Sequence, residues 1–508
     1  MLDIIRQSRL QKVKTLRDLG VSPYVSARAG TFRTNTAKQI KSEFEKFEGK
    51  QVTVVGKIVL LRNIGKIAFA TIQDETERIQ LFFKDGDVTE LEYWQSDELA
   101  TNKKIKLSNK SLTYEQLNLL DVGDYVQAIG TVGKTKTGEI SVMVTSYTIL
   151  SKSVRPMPEK FHGLQDAELK LRKRYLELVS DSELRGMFVK KAQFWKAIRD
   201  FMLNAGFTEV VTPIMETTTG GADANPFTTH HNALDEDFYL RISPELSLKR
   251  LIGGGYEKVF EIGPCFRNEG IDDEHLQEFW NLEFYWAYAN FWDNMELVKN
   301  MYRYVAKTVF NRSVFTMRGH EVDFAKDWNF IDYVETIEKE LGINVLKATD
   351  QELKNCLSER RVHFEEKANR ERLIDMLWKQ IRVNLAGPVF LINEPTVVSP
   401  LARINDQNPT VTERFHVIIA GSELGNGYTE LIDPVDQLER FQAQQSLRDS
   451  GDAEAQMIDE DFVEMLEYGM PPTTGFGMGE RLFSFMVDKP MRQTVFFPQM
   501  GRKLKIKA

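Results

Sequence analysis

At 508 residues the chain far exceeds the roughly 150 that one domain ordinarily takes, so it divides into more than one folding unit. A content of 42% hydrophobic and 28% charged residues is that of a globular protein, and a formal net charge of -8 argues against nonspecific coating of nucleic acid while leaving room for a local basic groove. The two cysteines, Cys265 and Cys356, are too few for a disulfide framework or a thiolate zinc site.

The start, MLDIIRQSRLQKVKTLRDLG, reads as an amphipathic helix and lacks the apolar centre of a signal peptide. No charge-free apolar run approaches the roughly 18 residues of a membrane-spanning helix. A cytoplasmic protein without a membrane partner is expected. From about residue 50 short strands follow, in QVTVVGKIVLLRN, KIAFATIQD, RIQLFFKDG, GDYVQAIGTVG and EISVMVTSYTILS, with turn residues between them. Together with a helix-like segment at 111–120 they predict a small five-stranded barrel of the oligonucleotide-binding (OB) type. Within it AIGTVGKT, residues 128–135, fits a loose phosphate-loop pattern. Such a loop needs a helix after it, and Val142, Val144 and Tyr147 signal another strand instead, so the stretch is read as a barrel hairpin.

Residues 153–179 open with a proline-containing linker and turn helical and charged. The expected division is an N-terminal helix and barrel over 1–152, a linker region over 153–180, and a mixed domain over 181–508 with a helical insertion at 335–386. In the last of these, VFEIGPCFRNEGIDDEHLQEFWNLEFYWAYA, residues 259–289, predicts a long antiparallel hairpin around a polar loop. A period of two puts Phe279, Asn281, Glu283 and Tyr285 on one face and Trp280, Leu282, Phe284 and Trp286 on the other. The second face reads as core; the first, with a ring, an amide, a carboxylate and a phenol, reads as a ligand surface. Arg267 and Glu269 share one parity on the outgoing strand. In PPTTGFGMGERLFSFM, Gly475, Gly477 and Gly479 make a strand with one bare face, and Arg481 stands near the start of an apolar helix.

These segments, with GFTEVVTPIM at 206–215, resemble the three signature motifs of class II aminoacyl-tRNA synthetases. Resemblance to the lysyl-tRNA synthetase subgroup extends through GGADANPFTTHHNALDEDFYLRISPELSLKRL, FRNEGIDDEH, EPTVVSPLARINDQNP and ELGNGYTELIDP. It implies an α+β architecture, with an OB-type anticodon-binding barrel before an antiparallel-sheet catalytic domain. It also implies a homodimer through the segment around Pro213, with ATP, L-lysine and tRNA-Lys as substrates and Mg²⁺ as cofactor.

By this resemblance Arg267 binds the α-phosphate, Glu269 the adenine amino group and His275 the terminal phosphates, while Phe279 and Arg481 sandwich the adenine. Glu430 and Tyr285 take the ε-ammonium, Glu245 and the backbone near Gly221 the α-amino group, and Asn426 and Glu283 complete the lysine pocket. The acidic lining agrees on physical grounds, because a desolvated ammonium needs a carboxylate partner. Glu423 matches a metal ligand, but the position of the other expected carboxylate holds His416, a poor magnesium ligand. The glycine motif is one residue shorter than the pattern before Glu480 and Arg481. In the barrel, Phe69 and Gln80 match positions that stack on and hydrogen-bond to anticodon bases, with Arg62 for a backbone phosphate and Glu139 for a base. Phe69 by itself reads as core; the shared barrel context sets a base-stacking role level with that reading. A protein lysyltransferase, or a regulatory nucleic-acid-binding paralogue, stays open as an alternative.

Overall fold

The computed structural model describes residues 2–26, 33–89, 95–96, 104–105, 110–157, 166–365, 368–450 and 455–501. Two compact units emerge, one of Met1–Lys170 with Tyr175–Ser180, the other of Leu171–Arg174 with Asp181–Ala508.

In the first unit, strands β1 (Gln51–Ile64), β2 (Ile67–Gln73), β3 (Arg78–Lys84), β4 (Tyr125–Lys134) and β5 (Ile140–Ser151) close a barrel in the order β1-β2-β3-β5-β4. Alternation drives the closure. Val52, Val54, Ala68, Ala70, Ile79, Leu81, Val142 and Val144 point inward and form one apolar core, to which helix α1 (Leu2–Asp18) presents Leu16. The helix-like segment is a short 3-10 turn at Tyr114–Leu119.

AIGTVGKT runs along β4, and the next element in the chain is β5 rather than a helix. Its Gly130 answers a packing demand: a β-carbon there would overlap the carbonyl of Met143, beside a register shift between β4 and β5. Lys134 rests its ammonium 4.7 Å over the ring of Phe44.

The barrel also buries a charge. Lys152, with a fully buried side chain, lies 2.8 Å from Asp124 and also binds Asp121. Losing one member of such a group strands the others without solvent. Lys152→Met should therefore shift the urea unfolding transition of this unit by about 3 kcal/mol. Lys134→Ala, which loses one exposed cation-π contact, should cost less than about 1 kcal/mol in the same measurement.

The second unit is built on an eight-stranded sheet. In chain order its strands are β6 (Thr208–Glu209), β7 (Lys258–Phe266), β8 (Glu278–Ala287), β9 (Asn329–Asp332), β10 (Val389–Ile392), β11 (Arg414–Ile419), β12 (Ser422–Thr429) and β13 (Thr473–Gly479). They lie in the order β9-β10-β11-β12-β13-β8-β7-β6. The pairings are antiparallel except β6 with β7 and β9 with β10 at the two edges. Thr212, just after β6, is tied down by Glu261, whose carboxylate accepts from its hydroxyl at 2.7 Å and faces the buried Arg241 guanidinium at 2.7 Å.

Helices cover the sheet. After α2 (Ser182–Asn204) and α3 (Glu245–Gly253), helix α4 (Phe291–Phe310) is pinned to the central strands. Asn294 donates to the Gly475 carbonyl at 2.8 Å, and the Tyr302 hydroxyl donates to the Leu424 carbonyl at 2.7 Å. Helices α5 (Tyr333–Leu341), α6 (Asp350–Glu359) and α7 (Arg370–Arg382) form a subsidiary core that reaches Leu391 and Ile418 of the sheet.

One expectation for β8 needs correction. Leu282 and Phe284 are fully buried, but Trp280 is 45% exposed. It stands near the strand's open end beside the hairpin loop, where it meets Trp195 of α2 at a ring separation of 6.2 Å.

Candidate functional site

The site is built on one register. β13 lies between β12 and β8, so that Gly475 sits between Tyr428 and Tyr285, Gly477 between Asn426 and Glu283, and Gly479 opposite Asn281. Large polar side chains from the flanking strands therefore lean over a bare ribbon. A β-carbon at Gly475 would overlap Tyr285 and Glu430, whereas one at Gly477 would stand 3.3 Å from Glu283 Cγ. The shortened glycine motif keeps this arrangement: Arg481 opens helix α8 (Arg481–Met486) directly after the strand. Glu480 is buried and bound to Lys191 of α2.

Above the ribbon lies a cavity of about 510 Å³. It gathers residues from distant parts of the chain. Arg267, Glu269, His275 and Phe279 from the hairpin line it with Arg481, Glu423 and His416. Gly221, Glu245, Glu283, Tyr285 and Asn426 line the remainder. Glu430 is placed otherwise: it is 1% exposed, behind the cavity wall against Gly475, with Lys249 as its ion-pair partner.

Where Glu245 and Glu283 stand, the cavity is acidic. Glu283 accepts hydrogen bonds from Ser243 at 2.7 Å, Asn281 at 2.9 Å and Tyr285 at 3.1 Å. Burial, and then the charge of Glu245, nevertheless push its pKa up to about 7 against the pull of Ser243, Tyr285 and Arg267. A cation entering here meets a carboxyl poised to ionise. Gly221, at φ 84, has space only for a glycine, since a β-carbon would stand 2.7 Å from that of Glu245.

Elsewhere cations and carboxylates alternate. The guanidinium of Arg267 lies 5.3 Å over the Phe279 ring, and Arg481 donates to the Glu423 carbonyl while facing Glu274 at 3.5 Å. Glu274 in turn accepts from Ser422 at 2.9 Å. His275 lies in the hairpin loop with Nδ1 2.7 Å from Asp272. Burial opposes ionisation of Glu423, but His416, Arg382, the Trp378 indole and Arg481 outweigh it and hold its pKa at about 2. His416 has a carboxylate at each ring nitrogen, Glu394 at 3.2 Å and Glu423 at 3.6 Å.

Several of these participants escaped sequence reasoning. Asp375, Trp378 and Arg382 share one face of α7 at spacings of three and four. Asp375 lines the cavity, Trp378 donates to Glu423 at 2.9 Å, and Arg382 faces it at 3.4 Å. A tryptophan and two charges on one helical stripe were the available signal. Arg414, missed beside His416, donates to Asn426 at 2.9 Å and pairs with Glu394 at 2.9 Å.

In the barrel the expected residues share one outer face. Register sets Phe69 beside Arg62 and Phe82, Gln80 two residues before Phe82, and Ser141 beside Gln80. Gln80 accepts from the Ser141 hydroxyl at 2.9 Å, and Glu139 is exposed two residues before Ser141. Phe69 is half-buried, its ring 5.2 Å from that of Phe82, so one face of the barrel carries an aromatic pair flanked by polar groups.

The fold agrees with comparison to known proteins. Residues 166–501 match the family of tRNA synthetases class II (D, K and N), and residues 52–150 match the OB-fold nucleic acid binding domain. The chain belongs to the class II tRNA synthetases of this group. It is 41% identical over 506 residues to the lysine–tRNA ligase of Thermoanaerobacter pseudethanolicus, covering 99% of this chain and 97% of that one. Against the lysine–tRNA ligase of Thermotoga maritima it is 40% identical, covering 98% and 96%. Against that of Moorella thermoacetica it is 40% identical, covering 97% of each chain.

The register makes a graded expectation. Gly475→Ala should lower stability by about 1–3 kcal/mol, because its β-carbon would overlap the buried Tyr285 ring and the buried Glu430 carboxylate. Gly477→Ala should cost less, and thermal unfolding of both variants ranks them.

Proposed function

We propose that the chain activates L-lysine with ATP and transfers the lysyl group to the 3′ end of tRNA-Lys. The observation that carries this reading is the carboxylate-lined part of the cavity: Glu245 is paired with Lys249, whereas Glu283 is buried with hydrogen bonds but no ion-pair partner among the described residues, so a cationic side chain is the ligand that completes it. Full-length similarity to the lysine–tRNA ligases supports the same substrate. The OB barrel supports tRNA, rather than a protein, as the acceptor.

In the first step a carboxylate oxygen of lysine attacks the α-phosphorus of ATP. The new P–O bond forms as the bond to the β-phosphate breaks, and pyrophosphate leaves with the electron pair. Such chemistry asks for alignment and charge neutralisation more than for an acid or base. Arg267 supplies fixed positive charge at the α-phosphate, Phe279 and Arg481 enclose the adenine between a ring and a guanidinium, and Glu269 accepts from its amino group. His275 extends toward the terminal phosphates. Glu245 and Gly221 hold the α-amino group, while Tyr285, Asn426, Glu283 and, through the wall, Glu430 define the side-chain pocket. In the second step a ribose hydroxyl of the tRNA attacks the lysyl carbonyl and AMP departs. Phe69, Gln80, Arg62 and Glu139 are the proposed anticodon readers on the barrel face.

Magnesium fits in part. Glu423 is ionised, opens on the cavity and would hold an ion that arrives with the phosphates of ATP. When bound, the ion neutralises phosphate charge. A second protein ligand at His416 does not fit, because a carboxylate faces each of its nitrogens. Among the described residues no group of three His, Cys, Asp or Glu side chains is arranged to hold a metal by itself.

The exposure of Val211, at 90%, and of Ile214 and Met215 supports the segment around Pro213 as the surface for a second copy of the chain. A reaction consuming ATP and tRNA fits the cytoplasm, and among the described residues no helix is long and apolar enough to cross a membrane.

The test is amino-acid-dependent exchange of pyrophosphate into ATP. Lysine should support it; exchange with another amino acid but not with lysine overturns the reading. Arg267→Ala should lower the rate by about 10²–10³ through lost stabilisation of charge at the reacting phosphate.

The lysine KM should also depend on pH. A cationic ligand favours ionised Glu283, so with a pKa of about 7 the competent fraction rises as pH goes from 6 to 8. The KM should fall by up to about tenfold over that interval and then level off. A flat profile contradicts the role given to Glu283.

A further inference from the structure

Lys249 stands between carboxylates behind and along the acidic wall. It sits in α3 four residues after Glu245, is fully buried, and lies 2.6 Å from Glu245 Oε1 while also binding Glu430 Oε2. Three rings enclose it, those of Tyr428 at 5.3 Å and of Tyr285 and Phe462 at 5.9 Å. The Tyr428 hydroxyl donates to the same oxygen of Glu245 that Lys249 holds, which leaves the second oxygen of Glu245 for a ligand. Lys249 is thus the partner of Glu430, neither of whose oxygens has another donor among the described residues.

We propose that Lys249 is a positioning residue that sets side-chain length selectivity, because one buried ammonium ties Glu245, which lines the cavity, to Glu430, which backs its wall, and so fixes the spacing between the carboxylate given to the α-amino group and the wall behind the side-chain pocket. This rests on the lysine-activating function proposed above. Glu245 lines the cavity at the place given to the α-amino group, and Glu430 stands behind the wall made by Gly475 and Tyr285, so a rigid bridge between them acts as a ruler. Lys249 does not line the cavity and touches no substrate. Burial opposes its charge, but Glu245 and Glu430 outweigh burial and keep its pKa raised. Without that charge, Glu245, Glu283 and Glu430 would repel one another inside the protein, and at least one would move or take up a proton. An ion pair that served folding alone would leave substrate length discrimination unchanged.

The test is pyrophosphate exchange by the full chain with lysine and with ornithine, one methylene shorter, in wild type, Lys249→Met and Lys249→Arg. Methionine keeps most of the apolar stem and removes the charge. In folded Lys249→Met the lysine KM should rise about tenfold or more, as for loss of a buried charge partner, with the ATP KM within about twofold of wild type. The lysine-to-ornithine ratio in kcat/KM should fall by about fivefold or more, since one methylene is ordinarily worth about 10–200-fold in a fitted pocket. Lys249→Arg should recover part of the lysine KM. Lysine parameters and discrimination within about twofold of wild type in folded Lys249→Met overturn the proposal, as does an equal loss toward lysine and ATP. If Lys249→Met does not fold, Lys249→Arg decides: a shift confined to lysine supports the ruler, and unchanged lysine kinetics overturn it. Wild type that exchanges with another amino acid but not lysine refutes the proposed function instead, a result distinct from any difference between variants.

Discussion

The register of β13 against its two neighbours is the constraint on which the site depends. Three glycines two apart put a bare face opposite Tyr285, Glu283 and Asn281 from β8 and opposite Tyr428 and Asn426 from β12. A slip of one residue would turn Phe476 and Met478, both now 2% exposed on the other face, into the cavity and swing the glycines into the core. Packing holds the register from behind. Phe476 lies parallel to Phe415 at 5.8 Å, and Asn294 of α4 grips the Gly475 carbonyl. The hydrophobic side of the sheet thereby fixes the polar side.

With the ribbon set, the remaining problem is electrostatic. The wall around Glu283 buries carboxylates that tolerate burial only when hydrogen-bonded or paired. Ser243, Asn281 and Tyr285 satisfy Glu283, Lys249 and Tyr428 satisfy Glu245, and Lys249 partners Glu430. Around Glu423 the same rule appears with basic groups interleaved: Arg414, Glu394, His416, Glu423 and Arg382 form a chain in which nitrogen groups alternate with carboxylates. His416 is therefore integrated in that chain by carboxylates on both sides.

Much of this was legible in the sequence because strands write their faces in steps of two. Phe279, Asn281, Glu283 and Tyr285 were separable from Leu282 and Phe284 by parity alone, and the glycines announced themselves by spacing. Five barrel strands and the failure of AIGTVGKT as a phosphate loop came from the same alternation. What parity does not carry is depth. Glu430 continues the pattern of Asn426 and Tyr428 yet lies behind the wall, and Trp280 belongs to the buried parity yet is exposed near the strand's end. Lys249 and the stripe Asp375, Trp378 and Arg382 were hidden for another reason. Their helices look ordinarily amphipathic, and only long-range packing brings them to the sheet.

The contact between Glu274 and Arg481 gives the cavity a property of its own. A hairpin-loop carboxylate, itself steadied by Ser422, stands beside the guanidinium proposed to stack on the adenine of ATP. An incoming nucleotide would therefore meet a guanidinium already partly neutralised instead of a bare positive trap. Such a pair attracts anions less than a lone cation does, so stray anions gain little by entering.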